Sequence, residues 1–133
     1  MSKLGCVCGN TIIDQTDNIS YKAQFLRDQD YEKYIDYSTD VAAFIESIQN
    51  GRREAWIREY FSQDYPTHID NSSVIFDIVS SHERKMSSTI YQCENCGRIK
   101  FQVKDTDTFA SFKPEDERYH NIFTGLYSER NDV

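Results

Sequence analysis

The chain has 133 residues, 38% hydrophobic and 14% aromatic, with a formal net charge of −7. That length predicts a single domain, residues 1–133, with a modest core. No apolar run approaches the roughly 18 residues of a membrane span, and an acidic chain lacking a basic stripe argues against direct nucleic-acid binding.

Met1-Ser2-Lys3-Leu4 is too short and too polar to read as a signal peptide, so a soluble cytoplasmic protein is expected. The first cysteine pair follows as Cys6-Val7-Cys8-Gly9, and the second stands far downstream as Cys93-Glu94-Asn95-Cys96-Gly97. Together they hold all four cysteines of the chain. A tight turn lets two paired sulfurs point the same way while nearby backbone N–H groups donate to them, and glycine suits the φ > 0 such a turn can require. Four thiolates make a closed tetrahedral shell for structural zinc, with no open position for a substrate. Three readings compete: two disulfides, a redox Cys-x-x-Cys, and an iron–sulfur or catalytic metal site. Reduced thiols are expected inside a cell, and a redox pair commonly opens a helix. The second pair instead lies between Thr89-Ile90-Tyr91 and the alternating Ile99, Phe101 and Val103, which is hairpin patterning. One structural Zn²⁺ on Cys6, Cys8, Cys93 and Cys96 is therefore preferred. His68, His82 and His120 are then spare, as ordinary surface or boundary histidines. With four thiolates and a dication the net charge becomes about −9.

Between the pairs, Thr11-Ile12-Ile13 predicts a short strand and Asp14 to Asn18 a polar turn. Ile19, Tyr21, Ala23 and Phe25 alternate as a half-buried strand. Asp28-Gln29-Asp30 marks a helix start, with Tyr31, Tyr34 and Ile35 on one face and an end near Tyr37. Ser38-Thr39-Asp40 predicts a second cap, followed by Val41, Phe44, Ile45 and Ile48 at helical spacing and a stop at Asn50-Gly51. A third helix is expected over residues 52–62, its apolar stripe built on Ala55, Trp56 and Tyr60, with Trp56 in the core. Tyr65-Pro66 closes it. Asp70 to Ser73 reads as a further cap before Val74, Ile75, Ile78 and Val79. Their spacing predicts a helix, with Asp77, Ser80 and Ser81 on the solvent side, although their β-branching leans toward strand. Residues 89–92 and 98–104 are expected to form antiparallel strands. Beyond them Phe109 and Phe112 should dock on the core, Pro114-Glu115-Asp116 should open a short helix, and Ile122, Phe123, Leu126 and Tyr127 offer a last apolar patch. Residues 128–133 are expected to fray.

These elements predict an α+β fold: a split zinc ribbon from residues 5–14 and 88–104, with a mainly helical insertion over 28–85. Asp28, Glu32, Asp36 and Asp40 recur every four residues. On one helix they would repel each other by a few tenths of a kcal/mol per neighbouring pair, a stripe that a basic protein surface could neutralise. Helix-start positions favour Asp28 and Glu32 in any case. Tyr31, Tyr34 and Tyr37 beside these acids could supply contact area, although at least two of the three are expected in the core. Arg52-Arg53 could touch phosphate but also suits a solvated helix start. The sequence holds no glycine-rich phosphate loop, nucleophile elbow or His-Glu-x-x-His pattern, so an enzyme is not expected.

The opening Cys6-Val-Cys-Gly-Asn-Thr-Ile-Ile-Asp14, then Tyr21-Lys-Ala23, Asp28-Gln-Asp30 and Cys93-Glu-Asn-Cys-Gly-Arg98, resembles a group of small bacterial split-zinc-ribbon proteins. Some of these look like immunity proteins that accompany polymorphic or contact-dependent toxins. The resemblance implies a non-enzymatic protein that binds a toxin domain, often a basic nuclease, and blocks it inside the producing cell. The alternative expectation is a zinc-ribbon accessory of a transcription or RNA complex, and a metal-dependent hydrolase is a third.

Overall fold

The computed structural model describes residues 2–126. It is a mixed α+β fold whose chain divides into two compact units. One is built from the residues up to Phe25 together with those from Ser88 onward, and the other from Leu26–Ser87.

The first unit is the β unit. Strands β1 (Ser2–Gly5) and β2 (Thr11–Asp14) pair antiparallel as a hairpin, Gly5 opposite Thr11. Strands β3 (Lys22–Leu26), β4 (Ser87–Gln92), β5 (Ile99–Gln102) and β6 (Phe109–Phe112) form a four-stranded sheet in that order. The β4–β5 hairpin sets Gln92 opposite Ile99, and β5–β6 sets Ile99 opposite Phe112. Ile12, Tyr91, Cys6 and Cys93 form its buried core, with Leu4, Tyr21 and Phe109 packed against them. The first hairpin is tied to β4 and to the start of β3 by polar bonds: Tyr91 Oη donates to Asp14, which also pairs with Lys22 Nζ at 2.6 Å, and Tyr21 Oη donates to the Ile13 carbonyl.

Two strands go beyond those expected from the sequence. β1 opens the chain, and β6 uses Phe109 to reach Tyr91, ring centroids 5.5 Å apart. Phe112 lies edge-on to Phe101 but stays largely exposed. No helix forms at Pro114–Asp116; the segment runs as irregular, bent chain. Ile122 and Leu126 are exposed and Phe123 is half-buried, while Tyr127 and the expected frayed end lie outside the described residues. The segment is anchored instead by the fully buried Gln92. Its amide donates to the Gly97 and Tyr119 carbonyls at 3.2 and 2.6 Å, and its carbonyl oxygen accepts from Ile122 N–H at 3.1 Å.

The second unit is helical. A short 3-10 helix (Asp28–Asp30) leads into α1 (Tyr31–Ile35), followed by α2 (Tyr37–Gln49), α3 (Arg53–Tyr60) and α4 (Asn71–Met86). α2 begins earlier than predicted, so Ser38, Thr39 and Asp40 lie inside it, and its N-cap position Asp36 makes no side-chain cap bond. Asp40 serves a tertiary contact instead, described below. The Asn50-Gly51 stop forms as expected: Gly51 N–H reaches the Ile48 carbonyl and Arg52 N–H the Ser47 carbonyl, the paired bonds of a Schellman turn. Residues 74–79 are helical. Asp70 caps α4, its carboxylate accepting from Ser73 N–H at 3.0 Å, and this local bond outweighs the strand preference of the β-branched residues. Asp77, Ser80 and Ser81 are half-buried rather than on the solvent face, whereas Phe76 is exposed.

Phe44, Ile57, Val74 and Ile78 are the fully buried core of this unit. On α3 the deepest residue is Ile57, while Ala55, assigned to the stripe from the sequence, is exposed. Trp56 packs against that core from the side, stacked on Tyr60 at 4.7 Å. Among the described residues no helix is long and apolar enough to cross a membrane.

Candidate metal centre

The turn joining β1 to β2 carries Cys6 and Cys8, and the turn joining β4 to β5 carries Cys93 and Cys96. The two turns close by the same backbone bonds. Cys6 N–H donates to the Asn10 carbonyl and Gly9 N–H to the Cys6 carbonyl; Cys93 N–H donates to the Arg98 carbonyl and Gly97 N–H to the Cys93 carbonyl, all at 2.8–2.9 Å. Gly9 and Gly97 have φ of 97° and 78°, a region that costs a side chain its Cβ clash, which explains glycine after the second cysteine of each pair.

These turns bring all four sulfurs within 4.8 Å of one another. Cys6 and Cys96 sulfurs are 3.5 Å apart and Cys8 and Cys93 sulfurs 3.6 Å apart, and none of the four is in a disulfide. Four thiolates bound at about 2.3 Å to a tetrahedral ion would stand about 3.8 Å from each other. The donor set therefore fits a tetrahedral metal site. Cys93 lies on a hairpin turn, not at the start of a helix, which removes the structural context of a redox Cys-x-x-Cys.

The surroundings supply donors to the sulfurs. Backbone N–H groups of Cys8, Asn10 and Arg98 bond Cys6, Cys8 and Cys96 respectively. Side chains add three more: Asn10 Nδ2 to Cys93 at 3.4 Å, Asn95 Nδ2 to Cys8 at 3.3 Å, and an Arg98 guanidinium nitrogen to Cys96 at 3.3 Å. Their effect on the free thiols differs by site. The Asn95 amide, then the Asn10 N–H, bring the Cys8 thiol down to about 6. Burial pushes Cys96 up, but the two bonds from Arg98 outweigh it and leave the thiol below its ordinary value. At Cys6 burial wins, and the thiol is raised. Deprotonation of Cys8 and Cys96 is thus favoured before any ion adds its own charge, which suits metal capture.

The sequence located the four cysteines but not these three side-chain donors. Their only local trace is position: Asn10 and Arg98 each directly follow a turn glycine, and Asn95 sits between the second pair. His82 and His120 are half-buried and His68 exposed, and none belongs to the sulfur cluster.

The acid and tyrosine positions fall elsewhere, in the helical unit, and do not share one helix. Asp28 is in the 3-10 helix, Glu32 and Tyr34 in α1, Asp36 at the α1–α2 junction, and Tyr37 and Asp40 at the start of α2. Asp28, Glu32 and Asp36 are exposed. Tyr34 and Tyr37 are half-buried and meet edge to face at 5.5 Å. Asp40 turns into the unit, where Tyr60 Oη and His82 Nε2 each lie 2.7 Å from its Oδ2. Arg53, a potential phosphate contact by its sequence position, is internally engaged: it donates to Asn71 Oδ1 at 2.7 Å and to the Thr67 and Ile69 carbonyls, holding the α3–α4 loop.

A family profile described as "Domain of unknown function (DUF8617)" matches residues 2–116, a span that contains both cysteine turns and the whole helical unit. No curated protein and no solved structure matches the chain.

Proposed function

The chain belongs to the family described as a domain of unknown function (DUF8617), and we propose that it is a non-enzymatic, zinc-stabilised protein-binding protein, most concretely an immunity protein that neutralises a basic toxin domain. Zinc is the ion proposed for the Cys6–Cys8–Cys93–Cys96 cluster, because a four-thiolate shell drawn from two hairpin turns is the donor set of a structural zinc ribbon. Such a shell leaves no coordination position for a substrate, so the metal serves to close the fold.

The observation that carries the binding role is the exposed acidic run Asp28, Glu32 and Asp36 with Tyr31, which is 51% exposed, among them. Carboxylates around an accessible tyrosine offer a basic partner both charge complementarity and an aromatic anchor, and the net charge of −7 would speed its approach. The test is co-purification with a toxin encoded in an adjacent gene, followed by rescue of growth when both are expressed. Binding at submicromolar concentration is expected, and its loss when Asp28, Glu32 and Asp36 are all changed to Lys. No complex at micromolar concentration would sink the reading. The zinc-ribbon accessory role predicts salt-sensitive gel shifts with RNA or DNA, which the acidic charge opposes.

A further inference from the structure

Asn10 closes the first cysteine turn, yet its side chain serves the second, with Nδ2 3.4 Å from Cys93 Sγ. Asn95 lies in the second turn and reaches back to the first, with Nδ2 3.3 Å from Cys8 Sγ. The partners are 83 and 87 residues apart in the chain. Neither amide is needed to shape its own turn, since backbone bonds already close both. Each turn's asparagine therefore completes the sulfur environment of the other.

The two crossed bonds differ in exposure. Cys93 is fully buried, while Cys8 is half-buried and Asn95 is exposed. A bound metal leaves a four-thiolate site stepwise, beginning where one sulfur detaches and a competing thiol or chelator enters. Cys8 and Cys96 are the half-buried sulfurs that a competitor can reach. Cys96 is held by Arg98 of its own turn and Cys8 by Asn95 of the other, and an N–H donor lowers a sulfur's tendency to detach by stabilising the thiolate in place. Resting on the metal reading above, we infer that Asn10 and Asn95 are crossed positioning residues for the bound ion, and that Asn95, through Cys8, governs how fast the ion is exchanged with external thiol or chelator.

The experiment loads the full chain with Zn²⁺ and with Co²⁺ and follows transfer of the metal to a colorimetric chelator. Asn95→Asp keeps the side-chain shape but replaces the donor by a carboxylate, and Asn95→Ala removes it without adding charge. Because Asn95 is exposed, neither change opens a hole in the core. Both are expected to start with the wild-type metal content and to release it about 10–100-fold faster. The Co²⁺–thiolate charge-transfer band should shift in both, a signature that simple loosening of the surface would not produce. Asn10→Ala should shift the band with a smaller change in release rate, because Cys93 is shielded. Wild-type release rates in metal-loaded Asn95→Asp and Asn95→Ala would overturn the inference alone. Faster release from Asn10→Ala than from either Asn95 variant would overturn the assignment of Asn95 as the governing residue. A wild-type chain that takes up neither metal would overturn the metal reading and this inference with it.

Discussion

His82 Nε2 lies 2.7 Å from Asp40 Oδ2, joining the second half of α4 to the start of α2 across 42 residues. Tyr60 Oη from α3 reaches the same oxygen at 2.7 Å, so one carboxylate fastens three helices. Burial raises the Asp40 carboxyl, but the bonds from His82 and then Tyr60 outweigh it, leaving the group below the ordinary carboxylate value. A carboxylate whose folded-state pKa is depressed contributes stability that is present above the unfolded value near 4 and lost as pH falls through the folded one. Asp40→Ala should cost about 1–3 kcal/mol at pH 7, because it leaves Tyr60 and His82 without their acceptor. The penalty should shrink below about pH 4, where the unfolded chain takes up a proton that the folded carboxylate still excludes. Urea unfolding of both proteins at pH 7 and pH 3 measures this, and an equal penalty at the two values would contradict it.

Elemental analysis should find about one zinc ion per chain. Cys93→Ser removes a fully buried thiol of the proposed metal site, in the core that also contains Ile12 and Tyr91. Since metal-binding energy becomes folding energy in a small closed site, this variant should lose the metal and the amide-exchange protection of β2 and β4. Unchanged metal content and protection would refute a structural role for the site.

Gly97 and Gly51 both have positive φ, 78° and 69°, but different surroundings. A Cβ on Gly97 would stand 3.3 Å from Pro114 Cγ, whereas one on Gly51 would meet open space. Gly51→Ala should therefore cost only the backbone strain, about 1–2 kcal/mol. Gly97→Ala adds a tight contact and should cost more by thermal unfolding. A smaller loss for Gly97→Ala would show that the second cysteine turn tolerates movement of its cover.

Ile57→Ala empties a fully buried position between Phe44, Val74 and Ile78. A loss of about 2–5 kcal/mol is expected, measured by denaturant titration, against less than about 0.5 kcal/mol for the exposed Glu54→Ala on the same helix. Similar losses at both positions would place the core elsewhere.

Signals that live within a few residues are legible in the sequence. The cysteine pairs with their glycines, the Asn50-Gly51 stop and the Asp70 cap all act through bonds spanning three to five residues, so residue type and spacing carry them. The centre of the α3 stripe is not legible in this way, because Ile57 and Trp56 are neighbours. Helical periodicity admits either on the apolar face, and only packing decides that Ile57 goes to the centre and Trp56 to its flank. In sequence β6 shows only two docking phenylalanines, because a four-residue edge strand is recognised by the neighbour it pairs with.

The sequence by itself determined the four-cysteine centre, most of the helices and the acidic surface, since each follows from local turn chemistry, periodicity or composition. Tertiary structure alone decided that Asp40 is a helix fastener rather than a surface acid, that Arg53 holds a loop, and that Asn10 and Asn95 exchange partners across the cysteine cluster. Those roles depend on groups brought together from distant parts of the chain. An asparagine or an aspartate reads the same in sequence whether its partner is water or a sulfur eighty residues away.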